Sequence, residues 1–188
     1  WLEKAITVAE NDQQKEAFTH LVDFYKTGDL RKFDEYNIAW VNDTESKIDV
    51  INGFIEVYGD AMGYRGAFES VVQVTDPIAS KRIKAISKEA QWFEDNSSIM
   101  DEQKKEKGQG ISARVINVVM EAGDASPSTP IGINLPNANW IRAQHGSKSV
   151  NLANIVHAYD EAGKSSGMLQ EFVWDEKEAE LAKKHGGI

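Results

Sequence analysis

The first 42 residues repeat apolar positions with the spacing of α-helices. Four of them fall on one helical face, namely Phe18, Leu21, Val22 and Tyr25. The letters "TGD" at residues 27–29 combine a helix stop with a new helix start. The pattern therefore predicts a helical region over residues 1–45.

Residues 46–76 change to a strand pattern. The runs "IDVINGFIEVYGD" and "AFESVVQVTD" are rich in β-branched and aromatic residues, and they flank the turn-like "GDAMGYRG". Asp76 and Pro77 then supply an N-cap and a first helical position. We predict paired strands over residues 46–76, and a helix with a polar connector over residues 77–108. The stripe that this helix is expected to bury consists of Ile78, Ile83, Ile86, Ala90 and Phe93.

Residues 109–146 are predicted to form further strands, from "ISARVINVVMEAG" and "TPIGINLPN". Pro130 and Pro136 bracket the second run, and proline occurs at sheet edges, so we expect an edge strand over residues 131–135 that faces a cleft. Residues 147–188 are predicted to be helical, apart from a short extended piece "EFVW". The order of elements indicates an α+β fold with helices packed on a small, mostly antiparallel sheet.

Composition narrows the class of protein. The chain has 188 residues, of which 41% are hydrophobic and 27% charged, as is usual for a soluble globular domain. A net charge of -9 argues against nucleic acid and anionic membranes as partners, and no apolar run is long enough to span a bilayer. We expect a soluble, cytoplasmic protein, while secretion stays open because the sequence begins without an initiator Met.

Metal and nucleophile motifs are absent from the sequence. None of the four histidines (His20, His145, His157 and His185) has a second histidine three to five residues away, and there is no cysteine. No Gly-x-Ser-x-Gly elbow or phosphate-binding loop occurs. We therefore expect no zinc site within this chain.

Three asparagines surround Pro136. The carboxamides of Asn134, Asn137 and Asn139 could accept from an ammonium group and donate to a peptide carbonyl. They could equally satisfy the backbone of the turn. The residues alone leave both interpretations open, although Gly132 would allow another backbone to come close.

Two longer segments resemble the dipeptidyl-peptidase III family of zinc metallopeptidases, and its bacterial branch in particular. They are "GFIEVYGDAMGYRGAFE" and "PIGINLPNANWIRAQHGSKSVNLANI". The matching positions are Gly53, Phe54, Ile55, Glu56, Tyr58, Asp60, Gly63, Gly66, Phe68, Glu69, Gly132, Ile133, Asn134, Pro136, Asn137, Arg142, Lys148, Val150 and Asn154.

The resemblance implies a piece of a two-lobed exopeptidase that releases dipeptides from the N-terminus of oligopeptides. The zinc motif of the family, His-Glu-x-x-x-His, does not occur here. We therefore expect a fragment from upstream of that motif. Zinc would be the cofactor of the full-length enzyme only, and the isolated chain would be inactive. The expected partners are an oligopeptide substrate and the remainder of the same polypeptide.

The resemblance also implies substrate-binding residues. Asn134, Asn137 and Arg142 match family positions that contact the substrate. Gly132 is a further substrate-binding candidate, because it lets another backbone come close. Asp49 stands four residues before Gly53, where the family places an acidic residue for the substrate amine.

Glu56 and Tyr58 are candidates of the same kind. For Glu56, an internal ion pair with Arg65 is an equally open interpretation. No catalytic residue and no metal ligand is expected in this fragment.

An alternative of another class is a self-contained α+β binding or scaffold module without catalysis. The sequence downstream of Ile188 would discriminate between the two, because the peptidase requires the zinc motif there.

Overall fold

The N-terminal region is helical, as the apolar spacing predicts. A computed structural model describes residues 1–104, 111–126, 129–162, 173 and 175–185. Its first three helices are α1 (Leu2–Ile6), α2 (Asp12–Thr27) and α3 (Leu30–Asn42). Gly28 ends α2 at φ 69°, and the Asp29 side chain caps α3 by accepting from the Arg31 backbone N–H. The letters "TGD" therefore separate two helices.

A five-stranded sheet forms the centre of the fold. Its strands are β1 (Ile48–Glu56), β2 (Ala67–Thr75), β3 (Ile111–Gly123), β4 (Gly132–Leu135) and β5 (Ser147–Leu152), arranged in the order β1-β2-β3-β5-β4. Every neighbouring pair is antiparallel except β3 and β5. The predicted α+β class with a mostly antiparallel sheet is confirmed. Within the described part of the chain β4 pairs only with β5, so it is an edge strand there, as the bracketing prolines predict.

The other helices of the described residues follow β2, β4 and β5. They are α4 (Pro77–Lys88), α5 (Ala90–Asp95), α6 (Asn139–His145), α7 (Ala153–Ala162) and α8 (Glu176–His185), with a 3-10 turn at Asp101–Gln103. Asp76 caps α4 through the backbone N–H groups of Ile78 and Ala79, at 2.9 Å each. The end of the predicted connector (residues 105–110) and most of "EFVW" lie outside the described residues.

The main core lies where α2 and α3 pack on the sheet. Its buried members include Leu21 and Trp40 from the helices, Ile51 and Val71 from β1 and β2, and Leu135 from β4. Burying each such side chain contributes about 1.5–3 kcal/mol. Helices and sheet are thus held together next to the carboxyl end of β4.

Two predictions of secondary structure are wrong. Residues 147–152 are strand β5 rather than helix, because Lys148, Val150 and Leu152 alternate into the interior with period two. Residues 139–145, within the region predicted as strands, are helix α6, with Gly146 directly after it.

The predicted stripe on residues 77–95 is not buried. Ile78, Ile86 and Phe93 are 70%, 59% and 54% exposed. The buried residue of α4 is Ser80, whose hydroxyl donates to the Val115 carbonyl at 3.0 Å and accepts from the Val115 N–H at 3.1 Å. A polar contact with β3 therefore sets the rotation of this helix, and its apolar side chains point elsewhere.

Candidate functional site

The three asparagines around Pro136 occupy different elements. Asn134 lies in the edge strand β4, and Asn137 follows the cis Leu135–Pro136 peptide bond. Asn139 begins helix α6, and its side chain caps nothing there. All three side chains are exposed. Only Asn134 and Asn137 stand at the cavities described below.

A cavity of about 240 Å³ lies beside β4. β4 contributes Gly132 and Asn134 to its wall, and the opposite wall comes from β1, β2 and the segment after β3. β1 and β4 are the two edges of the sheet, so the sheet curls enough for both edges to face one cavity. The cleft expected beside the edge strand is therefore present.

Three carboxylates gather in this cavity. Glu56 ends β1, Glu69 stands near the start of β2, and Asp124 directly follows β3. Burial and, to a smaller extent, the negative charges of Glu56 and Asp124 together raise the pKa of Glu69 to about 7. Close to neutral pH this cavity therefore holds two to three negative charges and has one proton to exchange.

Strand register brings the acids together. Glu69 pairs with Gly53 on one neighbouring strand and with Gly123 on the other. Gly123 adopts φ +68°, and a Cβ on this residue would fall 1.9 Å from the Phe68 carbonyl oxygen. Asp124 then donates its backbone N–H to that oxygen at 2.9 Å. A glycine turn thus fixes Asp124 beside Glu69.

Glu56 links the three carboxylates of the cavity to the loop that contains Pro136 and Asn137. Its Oε2 accepts from Asn137 Nδ2 at 3.3 Å, across 81 positions of sequence. A hydrogen bond to Glu56 also raises the pKa of the Tyr58 hydroxyl. Among the described residues Glu56 makes no ion pair with Arg65, whose backbone N–H instead donates to Asp60. The structure therefore brings together Gly132, Asn134, Asn137, Glu56 and Tyr58 of the sequence-predicted set.

Asp49 is not part of this arrangement. It is 3% exposed, and its Oδ2 accepts from the Lys148 ammonium at 3.1 Å, while Oδ1 accepts from Trp40 Nε1 at 2.8 Å. Lys148 is fully buried and stands 4.3 Å from the centroid of the Trp40 ring. The Asp49 carboxylate is already saturated by interior donors and is not open to a substrate amine in this structure.

Arg142 also lies apart. It belongs to α6, and it lines neither the acidic cavity nor the apolar one next to it. That second cavity, of about 180 Å³, is enclosed by α3, β1 and the Pro136 loop, and it includes Tyr36, Trp40 and Asn137. Ile51 and Leu135 line both cavities. An apolar hollow thus adjoins the carboxylates, with Asn137 at the boundary.

Sequence reasoning missed Glu69 and Asp124 as site residues. Glu69 falls within the quoted first motif, so its position there was a usable signal. Asp124 gave no signal, because its approach to Glu69 depends on the pairing of β2 with β3.

The arrangement is suited to a cationic group on an extended chain. An edge strand can add a peptide through main-chain hydrogen bonds, and neighbouring carboxylates stabilise an ammonium group. The described residues contain no group of three or more histidines, cysteines, aspartates or glutamates that could hold a metal ion. Within the same residues, no helix has the length and apolar character to cross a membrane.

Comparison with known proteins identifies a matching family model and several similar proteins. A sequence model of peptidase family M49 matches residues 1–187. Human dipeptidyl peptidase 3 is 27% identical over 155 residues, which are 82% of this chain and 21% of that protein. Nudix hydrolase 3 of Arabidopsis thaliana is 30% identical over 125 residues, which are 66% of this chain and 16% of that protein.

A solved structure agrees with the fold. The structure of DPP III from Caldithrix abyssi superposes with a TM-score of 0.75 at 30% identity, covering 85% of this chain and 30% of that one. The chain thus spans about a fifth or less of the length of the curated relatives named above.

Proposed function

The chain belongs to peptidase family M49, and from this premise we propose that it is the substrate-binding part of a zinc-dependent exopeptidase. The whole enzyme would release dipeptides from the N-terminus of oligopeptides. The observation that carries the proposal is the exposed edge strand β4 beside the three-carboxylate cavity. A free amino terminus and an extended backbone are the two features that such an enzyme must recognise.

The edge strand would bind the backbone of the peptide. β4 has a strand partner on one side only, so its other side is free to pair with an extended chain. The Asn134 carboxamide would accept from the ammonium group or donate to the first peptide carbonyl. Gly132, also in the cavity wall, leaves room for the approaching backbone.

The carboxylates would bind the substrate amine. Glu56 is held by Asn137, and Glu69 stands close enough to Glu56 and Asp124 for their charges to raise its pKa. An arriving ammonium group would favour the ionised form of Glu69, so binding would release its proton to water. This role replaces the one that the resemblance suggested for Asp49.

Zinc chemistry would belong to another part of the polypeptide. The described residues do not fit a zinc site, since they provide no cluster of ligands. We therefore expect the isolated chain to bind no stoichiometric zinc after dialysis and to release no dipeptides. Elemental analysis and a dipeptide-release assay check this. Zinc or released dipeptides would contradict the proposal that zinc chemistry belongs to another part of the polypeptide.

The amine-recognition step is tested on the chain itself. Tetra-alanine with a free amino terminus should bind saturably by calorimetry, and N-acetylation should weaken binding by about tenfold or more, because it removes the charge-assisted hydrogen bonds. Glu56→Gln should produce most of the same loss.

Exposed Glu180→Gln on α8 changes the net charge equally and should bind like the wild type. Equal binding of the free and acetylated peptides would rule out amine recognition here and favour the non-catalytic module.

A further inference from the structure

A basic cavity lies at the opposite end of β1 and β2 from the carboxylates. It is about 270 Å³ in volume and is bounded by the segment before β1, the end of β2, the start of α4 and β3. Its wall includes Lys47, Lys81, Lys84 and Arg114, against the single carboxylate of Glu45. In a chain with net charge -9, this is a local excess of positive charge.

Arg114 is the innermost of these cations. The residue is only 6% exposed, and its Nη1 donates to the Ser46 carbonyl at 2.9 Å. It makes no ion pair with any described carboxylate. The nearby buried Asp43 directs its Oδ1 to Asn11 and to the backbone N–H of Ser46. A guanidinium cannot lose its proton to escape burial, so an anion is the missing partner.

Lys148, by contrast, is a buried cation that has a carboxylate partner in this chain. Its ammonium bonds to Asp49 at 3.1 Å and rests on the Trp40 ring. Arg114, on the neighbouring strand, has one carbonyl and no carboxylate. The difference indicates that the counter-charge of Arg114 comes from outside the described residues.

A second unpartnered group lines the same cavity. The hydroxyl oxygen of Thr75, at the end of β2, is buried and has no hydrogen-bond partner among the described residues. The neighbouring Ser80 hydroxyl is already used by Val115, and the first N–H groups of α4 are used by Asp76. Thr75 Oγ1 is therefore an unpartnered donor in the cavity that the buried Arg114 guanidinium also lines.

We propose that this cavity binds an oxyanion, either a phosphate group or a carboxylate. Arg114 supplies the buried charge, Thr75 a hydroxyl donor, and Lys81 and Lys84 flexible charges at the entrance. The site is separate from the proposed peptide site and does not depend on it, because the two lie at opposite ends of β1 and β2.

Calorimetry of the chain with inorganic phosphate at constant ionic strength tests the proposal. We expect saturable binding to one site, whereas chloride gives none. Lys81→Gln with Lys84→Gln should weaken binding roughly tenfold, because charged hydrogen-bond donors are lost. Lys88→Gln on the same helix, outside the cavity lining, is the matched control and should bind like the wild type.

Two buried variants separate binding from folding. Thr75→Val keeps the shape of the side chain and should weaken phosphate binding roughly fivefold while leaving the circular dichroism spectrum unchanged. Arg114→Met should abolish binding and raise the melting temperature in phosphate-free buffer, since an unpaired buried charge is removed. If Arg114→Met does not fold, the Thr75 and lysine variants still decide the matter.

O-phosphoserine and acetate distinguish the source of the oxyanion. Tighter binding of O-phosphoserine than of inorganic phosphate identifies a phosphate monoester, and acetate binding as tight as phosphate identifies a carboxylate. Failure of all three anions to bind above chloride overturns the proposal, as does a loss in Lys88→Gln equal to that in the lysine pair.

Discussion

The two ends of β1 and β2 carry opposite charges. Glu56 at the end of β1 and Glu69 near the start of β2 lie beside Asp124, whereas the cavity at the start of β1 and the end of β2 is lined by Lys47 and Arg114. Antiparallel pairing produces this, because it places the last residues of one strand next to the first residues of the next. The comparison shows that one hairpin can place opposite charges in the cavities at its two ends.

The ends also differ in how they tolerate their charge. At the acidic end a carboxyl group can take up a proton, and the pKa of Glu69 is accordingly raised to about 7 by burial and by its acidic neighbours. At the basic end Arg114 has no such option, because guanidinium stays charged at any physiological pH. The acidic end should therefore respond to pH, and the basic end to the supply of anions.

The largest expected effect comes from Asp49, which pairs with the buried Lys148 near the basic end. Asp49→Ala should lower the free energy of unfolding by about 3–5 kcal/mol, because it leaves an uncompensated buried ammonium. Burial already lowers the pKa of Lys148, so the loss should be smaller at high pH, where Lys148 can deprotonate. Urea denaturation followed by circular dichroism measures the change.

Two control variants test whether the loss in Asp49→Ala comes from the unpaired Lys148. Asp160→Ala, at an exposed position of α7, should change stability by no more than about 0.5 kcal/mol. Asp49→Leu combined with Lys148→Met should recover most of the loss. If Asp49→Ala unfolds like the wild type and instead raises the KM of the full-length enzyme, Asp49 binds the substrate amine after all.

The same pair explains why the sequence pattern predicts a helix where β5 lies. The positions of "SKSVNL" that alternate into the interior are Lys148, Val150 and Leu152, so the first of these three is a lysine. A period-two pattern with a charged residue inside does not look like a strand until its carboxylate partner, 99 positions earlier in the sequence, is known. Tertiary pairing of this kind is beyond local pattern analysis.

A second prediction addresses the edge strand at the acidic end. Asn134→Ala and Asn137→Ala should each lower kcat/KM of the full-length enzyme by about ten- to a hundredfold, because a hydrogen bond to a charged group is worth roughly 1.5–3 kcal/mol. Dipeptide-release kinetics measure this. Asn139→Ala is the matched control, since Asn139 begins α6 and should matter little. A loss of activity that only follows a lowered melting temperature would make these carboxamides structural.

A third prediction concerns the helix at the basic end. Ser80→Ala should destabilise the chain by about 1–2 kcal/mol, because the backbone N–H and carbonyl of Val115 lose their buried partner. Ser87→Ala on the same helix removes only a bond to the Ile83 carbonyl within the helix and should be nearly neutral. Thermal unfolding of the two variants compares them directly. Equal melting temperatures would show that α4 does not depend on Ser80 for its position.

Ser80 also shows where prediction from the sequence ends. The cap at Asp76 and the start of α4 are local features and were predictable. Ser80 sets the face of α4 that packs on the sheet, because it bonds to Val115 of β3, 35 positions later in the sequence. The isoleucine stripe predicts a different face, and that face is exposed. The edge strand and its asparagines were predictable because prolines and amides act locally, whereas Asp124 and Arg114 gain their meaning only from the assembled sheet.

The smallest expected effect is the pH response of the acidic end. Glu69 has a pKa of about 7 in the folded chain against 4.5 as a reference, so the folded state binds its proton more tightly between these values. Its contribution to stability is therefore greatest below about pH 4.5 and is lost as pH rises to about 7. Glu69→Gln removes this loss, so its melting temperature should rise relative to wild type across that window. Thermal scans of both proteins from pH 4.5 to 7.5, with exposed Glu180→Gln as the charge-matched control, measure the difference. A constant offset between Glu69→Gln and wild type across these pH values would mean that the pKa of Glu69 is the same in the folded and the unfolded chain. The acidic end would then be as insensitive to pH as the basic one.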